Sequence, residues 1–185
     1  MDERAAKGWD NAMIEKSALD KPYENIIVLK GIIDEDFVNY RVPSMTLMFP
    51  MCSFKCEKEF GEKICQNSEL IKAKNIGIDV DNLCKRYLRN PISKSIVCQG
   101  LEPFDSFMDL YIFISTLRKD YNCQDPIVIY TGYTKEEIKL SIKELQKFQN
   151  IIIKFGRFIP NQDKYFDAVL GVFLTSPNQY AEKIS

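Results

Sequence analysis

Residues 95–130 read SIVCQGLEPFDSFMDLYIFISTLRKDYNCQDPIVIY, and the apolar pattern changes period twice along them. The short apolar runs at 95–98 and 127–130 predict strands. Between them, residues 105–119 set Phe107, Leu110, Tyr111, Ile114 and Leu117 on one face of a helix. Strand, helix, strand with short connections predicts a parallel sheet wrapped by helices.

The same rhythm continues in both directions. Residues 45–49 (MTLMF) and 151–155 (IIIKF) predict two further strands. Residues 79–89 predict a helix burying Val80, Leu83, Cys84 and Tyr87. Another helix is expected over 134–148, where Thr134 and Glu137 have capping-box spacing. Residues 168–174 (AVLGVFL) predict a last strand, and 25–33 a strand running into a turn at 34–36. Ala5, Trp9, Ala12 and Met13 share one face of an N-terminal helix that Gly8 weakens. The expected organisation is a single α/β domain over 36–185 behind an N-terminal extension at 1–35.

In parallel α/β folds, ligands collect at the C-terminal ends of the strands. Each expected strand ends in a distinctive loop there. They are MCSFKCEKEFGEKICQN at 51–67, QGLEP at 99–103, TGY at 131–133 and GRF at 156–158. Turn punctuation accounts for any one of them. It accounts less well for four on one edge, which predicts a single site.

Composition bounds the chemistry. The chain has 185 residues, 45% of them apolar, a net charge of −1 and a pI near 5.7, with acids and bases well mixed. That balance gives no basic field for nucleic acid. No apolar run approaches the roughly 20 residues of a membrane-spanning helix, and the N-terminus lacks the order of a signal peptide. The expectation is therefore a cytoplasmic protein with reduced thiols and neither a nucleic-acid nor a membrane partner. Histidine is absent altogether. This removes Ser–His–Asp and Cys–His catalysis and every histidine-ligated metal.

Three of the six cysteines, Cys52, Cys56 and Cys65, fall within fourteen residues, with gaps of three and eight. A structural zinc site wants four ligands, and no obvious fourth lies nearby. Cys84, Cys98 and Cys123 fall on a helical apolar face or near strand ends and read as small core residues. Three thiolates suit a [4Fe–4S] cluster with one iron left open. A zinc- or cluster-bearing interaction protein remains the non-catalytic alternative.

Taken in order, these motifs resemble radical S-adenosylmethionine proteins of the anaerobic ribonucleotide reductase activating type. That family carries Cys-x3-Cys-x2-Cys, typically followed by Gln-Asn. Here Cys52 and Cys56 keep the first gap, and Cys65-Gln66-Asn67 matches the third cysteine with its tail. Gly100-Leu101-Glu102-Pro103 stands where the family has Gly-Gly-(Asp/Glu)-Pro. Tyr130-Thr131-Gly132-Tyr133-Thr134, Gly156-Arg157-Phe158 and Ser176-Pro177-Asn178-Gln179 follow in family order, so that the resemblance spans roughly residues 36–183. Two departures point to a divergent subgroup. The second cysteine gap is eight rather than two, a six-residue insertion that an extended chain at about 3.3 Å per residue bridges with ease. Leu101 replaces a glycine that allows close backbone approach.

The resemblance implies an incomplete parallel β/α barrel, with Cys52, Cys56 and Cys65 holding a [4Fe–4S] cluster. It implies S-adenosylmethionine at Ile64, Gln66, Asn67, Gly100, Glu102, Pro103, Thr131 and Gly132, with Gly100–Pro103 on the amino group. The implied reaction is reductive cleavage of S-adenosylmethionine to a 5′-deoxyadenosyl radical, which abstracts a hydrogen atom and needs no general base. A partner glycyl-radical enzyme is the implied target, with flavodoxin or ferredoxin as electron donor. Modification of another peptide or a small molecule is the alternative.

Overall fold

A computed structural model describes residues 25–185. The helix expected around Trp9 lies outside them. In chain order the strands are β1 (Ile26–Leu29), β2 (Gly31–Asp36), β3 (Ser44–Phe49), β4 (Ile76–Asp79), β5 (Ser95–Gly100), β6 (Ile127–Tyr130), β7 (Ile151–Phe155), β8 (Tyr165–Asp167), β9 (Val172–Leu174) and β10 (Tyr180–Lys183). The helices are α1 (Lys55–Phe60), α2 (Val80–Arg89), α3 (Phe107–Lys119) and α4 (Lys139–Leu145).

Six strands form one sheet in the order β10-β7-β6-β5-β3-β2. The inner four, β3, β5, β6 and β7, are parallel, so their C-terminal ends share one rim. The edges β2 and β10 run antiparallel to their neighbours and do not pair with each other. Alternate residues of the inner strands feed two cores, as a sheet buried on both faces requires. Ile96 and Cys98 face the helices with Leu110, Ile114, Leu83 and Tyr87. Val97, Val128 and Ile152 face Tyr40, Leu170 and Leu174 on the other side. Fully buried Phe49, Phe113 and Phe155 each contribute roughly 1.5–3 kcal/mol by leaving water.

Local sequence explains most boundaries. Asp79 caps α2 by accepting the Asn82 N–H at 2.8 Å, and the expected residues Val80, Leu83, Cys84 and Tyr87 are the buried ones. The helix expected from 105 begins at Phe107, because Pro103–Ser106 forms a 3-10 turn first. Continuous helix over 134–148 shrinks to α4. Its capping box is present, with Thr134 N–H donating to Glu137 Oε2 at 2.8 Å, but Ile138 leaves helical geometry at φ −118°, ψ 22°.

The single strand expected over 25–33 is two. Lys30 N–H bonds to Met48 O, and the chain bends from β1, which pairs β4, into β2, which pairs β3. The strand also continues through 34–36, where a turn was expected. Ile27 and Leu29 are fully buried, and a boundary between residues 35 and 36 falls inside β2. At 168–174 only Val172–Leu174 is extended, and it pairs with β8 outside the main sheet.

Candidate metal centre

The four rim loops meet at one cleft, lined by Cys52, Ser53, Lys55, Cys56, Glu102, Gly132, Tyr133 and Arg157. Each loop after β3, β5, β6 and β7 contributes at least one residue. A roomier groove of about 370 Å³, lined by residues such as Arg118, Lys119 and Phe148, lies by the N-terminal ends of β6 and β7. It is at the wrong end of the sheet for the cysteines.

The loop after β3 carries the thiols. Cys52 precedes α1, Cys56 lies within it, and Cys65 follows; all three are free and partly exposed. Phe54 takes a left-handed conformation at φ 51°, and its N–H points 3.2 Å to Cys52 Sγ. Gly61, at φ 82°, ends α1 and turns the chain back. Glu57 Oε1 then accepts the Cys65 N–H at 3.3 Å. Burial pushes the Cys52 thiol up to about 12, despite the Phe54 N–H. Burial first, then the neighbouring Cys65 thiol, raises Cys56. By contrast Cys84, Cys98 and Cys123 are buried in the core.

The donor set fits an iron–sulfur cluster: three free thiols on one segment, two of them on the same cleft and the third beside Cys56. Among the described residues, however, no three Cys, Asp or Glu side chains already stand together as a metal-binding group.

The loop after β5 forms the wall. Glu102 N–H bonds to Met51 O at 2.7 Å, which holds this loop against the start of the cysteine segment. Gly100 sits at φ 101°, and a Cβ there would meet Met48 Cα at 2.9 Å. Its carbonyl accepts from Asn67 Nδ2 at 3.1 Å, tying the tail of the cysteine loop to β5. Pro103 is buried at the start of the 3-10 turn. The Glu102 carboxylate is turned inward. Oε1 accepts from Thr131 Oγ1 at 2.8 Å and Phe104 N–H at 3.2 Å, and Oε2 accepts from Gly132 N–H at 2.9 Å.

Of the residues expected from sequence, Cys52, Cys56, Glu102 and Gly132 line the cleft. Cys65, Asn67, Gly100 and Thr131 support it at one remove. Ile64 and Gln66 do not line it, and Gln66 is exposed. Sequence reading missed Asp105, which accepts from Ser53 N–H and from Tyr133 Oη, both at 2.5 Å. Its three-residue spacing from Glu102 across one helical turn was the available signal. Ser53, Lys55, Tyr133 and Arg157 were also missed as lining residues, although all of them lie in noted loops.

The model of a 4Fe-4S single cluster domain matches residues 40–173, well over half of the chain and including every cleft residue named here. No curated protein and no solved structure matches the chain. Among the described residues no helix is long and apolar enough to cross a membrane. With two free thiols lining the cleft, a third beside them and a match of that extent, the chain belongs to the 4Fe-4S single cluster domain family.

Proposed function

We propose that the chain is a radical S-adenosylmethionine protein of the activase type, with Cys52, Cys56 and Cys65 holding the cluster. The observation that carries this reading is the convergence of all four rim loops on the cysteine cleft. A purely structural metal site needs the thiols but not Glu102, Gly132 and Arg157. The partial-barrel architecture belongs to the same proposal, supported by four parallel strands that neighbour one another in the sheet in chain order.

When bound, a reduced [4Fe–4S] cluster supplies the electron that cleaves the sulfonium of S-adenosylmethionine to methionine and a 5′-deoxyadenosyl radical. The chain's own residues supply position and electrostatics. Gly100 lets the backbone pass close to β3, and Asn67 fixes the cysteine tail against it. Glu102 sets a buried carboxyl beside the cleft, raised to about 7 by burial in spite of its hydrogen bonds. The cofactor's ammonium would favour its charged form. The absence of histidine fits hydrogen-atom abstraction, which requires no general base. The proposed target is a glycine of a glycyl-radical enzyme, with flavodoxin or ferredoxin as electron donor.

The test is product analysis. Reduced, cluster-loaded protein is expected to convert S-adenosylmethionine slowly to 5′-deoxyadenosine and methionine without any partner. Intact S-adenosylmethionine after prolonged anaerobic incubation with fully iron-loaded protein overturns the reading.

A further inference from the structure

We infer that the residues between Cys56 and Cys65 form a clasp, which Arg157 locks across the cysteine cleft. Arg157 is thus the positioning residue for the cluster loop. The inference rests on the reading that these thiols hold the cluster.

The geometry centres on one guanidinium. Arg157 follows β7, and its side chain is only 13% exposed. Its Nη1 and Nη2 donate to the two Glu137 carboxylate oxygens at 2.9 and 2.7 Å, and Nη1 also reaches Gly132 O at 3.3 Å. Arg157 Nε lies 2.9 Å from Glu59 Oε2 without hydrogen-bond geometry, so that contact is ionic. Lys55 donates to the same Glu137 at 3.3 Å, and its ammonium sits 4.7 Å from the Tyr133 ring centre. Helix α1 is therefore pinned at both ends, Lys55 and Glu59, to one Arg157–Glu137 anchor. Between those pins lies Cys56. From the same helix Glu57 holds the Cys65 backbone.

The long gap explains why such a clasp is needed. A two-residue spacing restrains neighbouring thiols through the chain itself. Eight intervening residues leave Cys65 free to wander, and closing that loop costs conformational entropy. Glu57 and Glu59 belong to the intervening segment, and they supply the restraint that the backbone no longer gives. The cleft is also narrow. It offers about 30 Å³, far below the roughly 300–1,000 Å³ of an organic-ligand pocket. Making room for a cluster and its cofactor therefore calls for a shift of α1, which the ionic anchor resists.

Glu59→Gln, Arg157→Gln and Arg157→Lys test this in two settings. In the cluster-free full chain, hydrogen exchange over residues 55–66 is expected to quicken by about fivefold in Glu59→Gln, the scale of one good ion pair. In Arg157→Gln, which also severs the paired bonds to Glu137, it is expected to quicken by about tenfold or more. Arg157→Lys, keeping charge without the fork, falls between. Ionic strength of about 1 M speeds exchange in the wild type but adds little in Arg157→Gln. In anaerobically reconstituted protein, iron loss to a chelator is expected to accelerate in the same order. Unchanged exchange over 55–66 in both Glu59→Gln and Arg157→Gln overturns the clasp. So does a rise spread evenly over the whole chain. A wild type that takes up no iron overturns the cluster reading alone, and the exchange measurement still decides the clasp.

Discussion

Glu102 Oε2 accepts a 2.9 Å hydrogen bond from the Gly132 backbone N–H, so a single carboxyl joins the loops after β5 and β6. Its other oxygen takes Thr131 Oγ1 and the Phe104 N–H. Three donors favour the charged form, yet the side chain is 6% exposed and burial outweighs them.

The first prediction is a pH signature of that burial. Glu102 rises from 4.5 to about 7 on folding. The folded state thus binds more protons than the unfolded state across this interval. The group's contribution to stability is fully present below pH 4.5 and is lost as pH rises through about 7. Its size is at most roughly 3 kcal/mol, from about 1.4 kcal/mol per unit. Denaturation of the cluster-free protein at several pH values is expected to show this slope. Glu102→Gln should flatten it. Parallel slopes in the two proteins would show that Glu102 does not titrate in this range.

Two glycines of the rim should respond unequally to the same change. Gly100 has φ 101°, and a Cβ there would stand 2.9 Å from Met48 Cα and 3.0 Å from Phe49 N. Both obstacles are unable to swing aside. Gly100→Ala is expected to cost roughly 1–3 kcal/mol of stability, the scale of local backbone strain. At Gly132 the nearest atoms to an added Cβ are 3.7 Å away. Gly132→Ala should stay within about 0.5 kcal/mol. Denaturant midpoints compare them, and equal losses would contradict the geometry.

Tyr133 joins the cysteine loop to the loop after β5. Its hydroxyl donates to Asp105 Oδ1 at 2.5 Å and lies 3.1 Å from Ser53 Oγ. Burial, followed by the bond to Asp105, raises its pKa, so it remains a neutral donor. Tyr133→Phe is expected to cost about 1–3 kcal/mol, as for a hydrogen bond to a charged partner. Proteolysis within 51–67 should become faster. A midpoint identical to the wild type would remove Tyr133 from the support of this loop.

What was legible in the sequence were the elements with a strong period and local caps. The inner strands are apolar runs buried on both faces, and α2 announces itself through Asp79 and four buried residues at helical spacing. The edges were less visible because their cause is not local. Lys30 bends the chain because its N–H finds Met48 O, a partner eighteen positions away. The hairpin of β8 and β9 was obscured because 168–170 is apolar yet forms a turn, with the Val169 and Leu170 N–H groups held by Asp167 Oδ1. In the site, residue types marked the cysteines and Glu102. The roles of Lys55 and Arg157 come from bonds across loops, which no spacing records, and for Asp105 the spacing from Glu102 was the one trace.

The central claim is that Cys52, Cys56 and Cys65 hold a [4Fe–4S] cluster with an iron open to S-adenosylmethionine. Electron paramagnetic resonance of the anaerobically reconstituted, reduced protein, with and without S-adenosylmethionine, tests it most directly. The account predicts about four irons per chain and a cluster signal that changes when S-adenosylmethionine is added. It predicts loss of that signal in Cys65→Ala and its survival in Cys84→Ala, Cys98→Ala and Cys123→Ala. An unchanged signal on adding S-adenosylmethionine, or a cluster that persists in Cys65→Ala, would contradict it.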